Sequence, residues 1–340
     1  MMGIFHLLSE GCPMGFIRTL HGDIAPAQLG VTYSHDHIYC IPPYWAERND
    51  EDLLLDSAEA SERELADFRA AGGHSFYDAT APDYGRQVEV VARIAQRQHV
   101  QIIATAGFNK GFLWSCKRPG HNDTFAQWIE HSPLDALVEH VVREVTDGID
   151  GSQYRAGVVK CGTGYNMISP LERKTLEVIV RAQQITGAPM HSHTEMGTMA
   201  LEQAQVFKTL GLDMSRLCFA HMDRNPDPWL HRQIANTGAY LSFDGITRIK
   251  YHPEHIRTQA ILELCKRGYQ KQILIGGDFA RKSMSAHYGK GGLGLKFILA
   301  DWRPRFIEEA HEAGFDGEAL LHDFFIANPA RYFTFSQDSQ

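Results

Sequence analysis

The residues best suited to chemistry fall in five separated stretches of the chain. In VTYSHDHIYC, a β-rich run ends in His35 and His37. Side chains two apart on a strand point to the same side, so both imidazoles can face one cation while Asp36 turns away. Lys160 closes the apolar run RAGVVK. An ammonium there is costly unless paired or neutralised, and burial favours the neutral amine. A neutral amine can add carbon dioxide and become a carbamate, an anionic two-oxygen ligand able to bridge two cations. His193 in APMHSHTEMG and His221 in RLCFAHMD each follow a β-rich run and can converge on a second cation, with Lys160 shared. Asp278 in ILIGGDFAR ends the last such run, where its carboxylate can ligate the first cation and accept a proton from bound water.

Each of these residues also has a structural reading. The histidines can be satisfied core imidazoles, Lys160 the partner of a core carboxylate, and Asp278 a helix-capping aspartate. What favours a site is their joint occurrence at the ends of separate apolar runs. His191 shares the face of His193 but lies deeper in its strand, so it reads as a structural histidine.

The elements that must position these groups alternate. After the strand that ends in the histidine pair, β-rich runs cover residues 74–80, 101–107, 156–161, 188–194, 216–222, 239–245 and 272–278. Between them, helical spacing covers 57–71, 86–99, 134–145, 198–210, 228–236 and 256–267. A further helix opens on a capping box at Ser169, Pro170 and Glu172 and closes at Gly187. Eight such units predict a closed parallel (β/α)8 TIM barrel spanning residues 1–340 as a single α/β domain. Residues 1–30 read as an irregular N-terminal segment, and about 108–150 as an insertion that shapes a pocket. The first strand is followed by no glycine-rich dinucleotide fingerprint. In a barrel of this kind chemistry collects where strands end, which is where all the candidate ligands sit.

Composition narrows the function classes. The chain has 44% hydrophobic and 22% charged residues, those of an ordinary soluble globular protein. Its 33 lysines and arginines against 41 acids leave a net charge of minus 8, which argues against general affinity for nucleic acid or anionic membranes. No run approaches the roughly 18 apolar residues of a spanning helix, and the opening MMGIFHLLSEGCPMG lacks the basic and long apolar parts of an export signal. Six scattered cysteines without close pairing fit a reducing cytoplasm. Locally, Arg248, Lys250, Arg281 and Lys282 gather on the seventh and eighth loops, and Lys250 and Arg281 read as ligands for an anionic group of the substrate. The run Tyr288-Gly-Lys-Gly-Gly-Leu-Gly lacks the ending of a P-loop and reads as a mobile flap.

The ordered set of H-x-H, RAGVVK, H-T after the fifth strand, A-H-x-D after the sixth and G-D at the eighth resembles the phosphotriesterase-like branch of the amidohydrolase superfamily over essentially the whole chain. The resemblance implies His35, His37 and Asp278 at one metal and His193 and His221 at the other, with carboxylated Lys160 and a hydroxide bridging them. It implies two divalent cations, for which mixed imidazole and carboxylate ligation suits zinc, with manganese, cobalt or iron also able to fill the site. It further implies hydroxide attack on a carbonyl or phosphoryl centre, with Asp278 as proton acceptor, and it allows a homodimer. One departure matters. Organophosphate hydrolases of the family carry a histidine after the strand-seven aspartate and a second acid after strand six, whereas this chain has Asp244-Gly245 and Asp223-Arg224. With that relay interrupted, a lactone or other carboxylic ester is the better expectation than a phosphotriester. The loops resemble those of members acting on phosphorylated sugar lactones. Amide hydrolysis by the same centre, and a ligand-binding barrel without turnover, are the competing readings.

Overall fold

The computed structural model describes residues 15–336. A short antiparallel hairpin, β1 (Ile17–Thr19) and β2 (Gly22–Ile24), occupies part of the segment that reads as irregular. Eight parallel strands follow in unbroken sequential order: β3 (Thr32–Asp36), β4 (Ser75–Asp78), β5 (Gln101–Gly107), β6 (Val158–Thr163), β7 (Met190–Thr194), β8 (Leu217–Phe219), β9 (Tyr240–Phe243) and β10 (Ile273–Ile275). Each is followed by at least one helix, the α/β alternation of a (β/α)8 barrel, as the sequence predicts.

The seam between first and last strands is closed by the backbone. Asp278 donates its N–H to the His35 carbonyl at 3.0 Å. The approach is close enough that a Cβ on Gly276 would lie 2.6 Å from the His35 oxygen and 2.8 Å from its nitrogen, so only glycine fits there.

Local chemistry explains the helices. In α1 (Ala58–Ala70) Ser57 caps the N-terminus by accepting from the Ala60 N–H at 3.2 Å. The helix α2 (Val88–Gln98) ends at His99 in the left-handed conformation. The stretch 108–150 holds α3 (Phe125–His131) as well as the predicted α4 (Leu134–Thr146); α3 begins at a capping box between Thr124 and Gln127. The predicted Ser169 box opens α5 (Pro170–Thr186), with reciprocal bonds to Glu172 of 2.8 and 3.2 Å. Then come α6 (Ala200–Thr209), α7 (Pro228–Ala235), α8 (Glu254–Lys266), α9 (Arg303–Glu312), α10 (Gly317–His322) and α11 (Asn328–Phe333).

Two apolar layers hold the architecture. The larger lies between the sheet and the helices; the smaller fills the barrel floor, where Tyr332 and Phe333 of α11 pack with Tyr77, Ile103, Val158 and Leu274. Burial of these side chains is the main favourable term for folding. It also leaves the opposite end of the barrel for polar groups. Among the described residues no helix is long and apolar enough to cross a membrane.

The glycine-rich run after β10 is an anchored loop and not the free flap the sequence suggests. Buried Glu64 of α1 accepts from the N–H groups of His287 at 2.8 Å and Leu295 at 3.0 Å, and the Tyr288 hydroxyl meets Ser61 Oγ at 2.8 Å.

Candidate metal centre

All six predicted ligands are buried and line one cavity at the C-terminal ends of the strands. His35 comes from β3, with His37 just past its end; Lys160 lies in β6, His193 in β7, His221 just past β8 and Asp278 just past β10. Gly162 opposite His193 is required by the packing, because a Cβ there would lie 2.5 Å from the histidine's own Cβ. His221 and Asp278 both adopt positive φ, 62° and 45°. Non-glycine residues in that region store strain, and such residues cluster at functional sites.

Hydrogen bonds fix which ring nitrogens carry protons. The Thr80 hydroxyl donates to Asp78, so it accepts from His37 Nδ1 at 2.7 Å and leaves His37 Nε2 with a free lone pair. His35 Nδ1 faces His191 Nε2 at 3.0 Å and Asp244 Oδ2 at 3.2 Å, which directs its Nε2 lone pair into the cavity. His35, His37 and Asp278 thus present donor atoms that lie within 4.8 Å of one another. Asp278 Oδ1 is 3.4 Å from His37 Nε2. Three lone-pair groups converging without a proton between them suit a divalent cation.

A second set adjoins the first. His221 Nδ1 meets Asp244 Oδ1 at 2.6 Å, and His193 Nε2 meets Glu195 Oε2 at 2.8 Å. The remaining nitrogens, His193 Nδ1 and His221 Nε2, face each other at 2.8 Å. His193 Nε2 lies between the Glu195 carboxylate and the Lys110 ammonium, the latter at 3.0 Å; with its proton toward Glu195, and the His221 proton toward Asp244, the facing nitrogens suit a shared cation. Asp244 also groups with His35 and His221 within 4.8 Å. The donor set therefore fits two metal ions.

Burial dominates the electrostatics. It pushes Lys160 down to about 8 and His193 to about 3. Lys160 Nζ donates to the Ala79 carbonyl at 2.7 Å. Burial alone would raise the Asp278 carboxyl, but the Arg248 and Arg224 guanidiniums beside it hold it well below the usual carboxylate range. Arg224 and Arg248 reach Asp278 Oδ2 at 2.5 and 2.6 Å.

The structure adds residues that the motifs do not expose. Asp244 bonds His221 and Glu195 bonds His193, Arg224 and Arg248 hold Asp278, and Lys110 pairs with Glu195. Asp244 was within reach of the strand-end rule, since it follows β9 directly. The arginines carry no such signal. His191 is buried behind His35 and near the Tyr332 hydroxyl, at 3.3 Å, which is the structural place its depth suggests. Lys250 and Arg281 both border the cavity. Lys250 is exposed beside the Tyr251 ring, whereas Arg281 is already engaged by Asp50 at 3.0 Å and Asp52 at 3.4 Å.

If Glu195 sets the His193 tautomer, Glu195→Gln weakens metal binding by roughly 10–100-fold, as removal of outer ligand partners does. Competition against a chromogenic chelator measures this directly. Unchanged affinity would show that Glu195 does not set the tautomer.

The comparisons with known proteins agree with this geometry. The chain is 32% identical over 336 residues to a phospho-furanose lactonase of Mycoplasmopsis synoviae, covering 95% of this chain and 92% of the relative. A crystal structure of a lactonase from Listeria monocytogenes superimposes with a TM-score of 0.93 at 53% identity, covering 95% of this chain and 100% of that one. The phosphotriesterase homology protein of Escherichia coli, solved with phosphate in its active site, gives a TM-score of 0.81 at 25% identity, with 90% and 99% coverage. The model of the phosphotriesterase family matches residues 15–333, and with the barrel and its paired histidine and carboxylate clusters in place, the chain belongs to that family.

Proposed function

We propose that this protein, a metal-dependent hydrolase of ester or lactone bonds, opens a lactone that carries a phosphoryl or comparable anionic group. The observation that carries the choice of substrate is the charge of the cavity wall. Arg48, Lys110, Arg224, Arg248, Lys250 and Arg281 border it against the acids Glu195 and Asp278. In a chain of net charge minus 8, that concentration of cations marks the cavity as a seat for an anion. The cavity, about 180 Å³ in volume and open at the barrel mouth, has room for a small molecule only. Relatives named for phospho-furanose lactones, and one with phosphate in its active site, support the same class.

His35, His37 and Asp278 would hold one cation, His193 and His221 the other, with Lys160 between them as a carbamate. Burial supports that modification, since an amine pushed down to about 8 is partly neutral near pH 7 and only the neutral form adds carbon dioxide. Zinc fits the imidazole and carboxylate donors, as do manganese, cobalt and iron. Two such ions acidify bound water and polarise the substrate oxygen. The chain's own task is then proton handling. Asp278, kept ionised by Arg248 and Arg224, takes a proton from the attacking water and returns it to the ring oxygen as the acyl carbon–oxygen bond breaks.

The acid relay of the organophosphate hydrolases has no counterpart. Asp223 is committed to a buried pair with Arg257 at 2.7 Å, and Arg224 occupies the following position. Triester hydrolysis is therefore expected to be weak. The five described cysteines, Cys40, Cys116, Cys161, Cys218 and Cys265, are free and buried, which supports a reducing cytoplasm as the compartment.

A lactonase assay on metal-loaded protein tests the substrate class. The phosphorylated sugar lactone should exceed the unphosphorylated one in kcat/KM by roughly 10–100-fold, the worth of one or two charge-assisted hydrogen bonds. Equal rates on both would overturn the anionic-substrate reading.

A further inference from the structure

The loop after β9 carries Arg248, whose guanidinium grips Asp278 at the cavity while its backbone is gripped from beneath by a residue that does not line the cavity. We propose that this residue, Arg257 on the first turn of α8, is a positioning residue: it locks the loop in a strained conformation that keeps Arg248 against Asp278. The proposal rests on the reading of Asp278 as proton acceptor.

The first observation is convergence. Arg257 is fully buried, and its guanidinium reaches four groups that together frame one loop. Nε donates to Asp223 Oδ2 at 2.7 Å, Nη1 to the His252 carbonyl at 2.7 Å and to Glu254 Oε1 at 3.3 Å, and Nη2 to the Arg248 carbonyl at 2.9 Å. Glu254 Oε1 in turn accepts from the Thr247 N–H at 2.8 Å. Asp223 closes the start of the loop, since a Cβ on Gly245 would lie 2.2 Å from its Oδ2. A lysine could serve Asp223 as a point charge, but it could not span these acceptors. The far end of Arg248 completes the line, with a guanidinium nitrogen 2.6 Å from Asp278 Oδ2.

The second observation is strain. Thr247 has a φ of 83°, a region in which a β-branched residue is a genuine outlier. Its Oγ1 is buried with no hydrogen-bond partner among the described residues, and so is Glu254 Oε2. Left-handed strain and unpaired polar atoms are both unfavourable, and they persist only where the surroundings over-determine the geometry. The Arg257 fork supplies that constraint. A buried ion pair is weak evidence for added stability, so the place of this one beneath a loop of the site is better accounted for by what it fixes.

Two variants of the metal-loaded protein test this, each read by amide exchange, kcat, metal content and thermal unfolding. Thr247→Gly removes the penalty for positive φ and slackens the loop. Its unfolding temperature should be unchanged or higher while kcat falls by roughly fivefold or more, as a small misplacement of a reacting group can cost far more than that. A merely structural role would move stability and kcat together. Arg257→Lys keeps a charge beside Asp223 but loses the fork, and its kcat should fall by a similar factor at full metal content. In both variants the amides of Thr247, Arg248, Ile249 and Tyr251 should exchange at least roughly tenfold faster, while those of β9 stay as protected as before. Should Arg257→Lys fail to fold, the neutral pair Asp223→Asn with Arg257→Gln takes its place, because it leaves no buried charge alone. Unchanged exchange of the loop amides in the folded variants, or unchanged kcat in them, would overturn the proposal. Exchange needs no substrate and kcat is read on phenyl acetate as well as on the lactone, so a wrong choice of lactone would leave the result standing.

Discussion

Lys160→Ala is expected to strip the metal centre and the activity together. The lysine is 1% exposed, surrounded by the ends of neighbouring strands, and burial is the leading cause of its depressed pKa, about 8. If its carbamate bridges the two ions, alanine leaves both with an open position and with one fewer negative charge between them. Metal content should fall from near two equivalents to a small fraction. Activity should fall by more than the roughly 10–100-fold that loss of an outer partner costs. Formate, acetate or propionate should restore part of both by filling the vacated bridge. Metal analysis of the purified variant decides, and unchanged content would refute the assigned role. The same chemistry sets a pH dependence. The proton must leave Nζ before carbon dioxide can add, so reconstitution of metal-free protein with metal at a fixed concentration of dissolved carbon dioxide should quicken as pH rises and level off above about 8.

Asp278→Asn is expected to lower kcat by roughly 10²–10⁴-fold, the worth of a positioned proton acceptor. Its two oxygens face different partners, Oδ1 toward His35 and His37 and Oδ2 toward Arg224 and Arg248. An amide keeps the shape but cannot take a proton, and it leaves two buried guanidiniums without their counter-charge. Breaking such a pair costs up to about 3–5 kcal/mol, so thermal unfolding is measured alongside the kinetics. A folded, metal-loaded variant retaining more than about a tenth of the activity would remove Asp278 from the proton path.

The barrel and the six candidate ligands were legible for one reason: each ligand interrupts an apolar run at a strand end, and interruptions of that kind survive in one dimension. Lys160 is conspicuous among valines, and His35 and His37 keep the spacing of two although β3 stops at Asp36. Strand limits were less legible. The runs ending at Met222 and Asp278 stay apolar past the last ladder bond, while the chain has already turned through left-handed His221 and Asp278. The charged surroundings were hidden for a different reason. Arg281 looks free in sequence, yet its partners Asp50 and Asp52 come from the loop after the first barrel strand, brought near only when the barrel closes. Arg224, Arg248 and Glu195 likewise acquire meaning from loops that meet across the mouth. A pairing between distant loops has no local signature.

The tight crossing at Gly276 has a practical consequence for engineering. The atoms that exclude a side chain there belong to the backbone of His35, which cannot step aside as a flexible side chain would. A mutagenesis library aimed at new specificities should therefore hold residues 276–278 constant and begin its diversity at Ala280, where the chain borders the substrate cavity without forming the join.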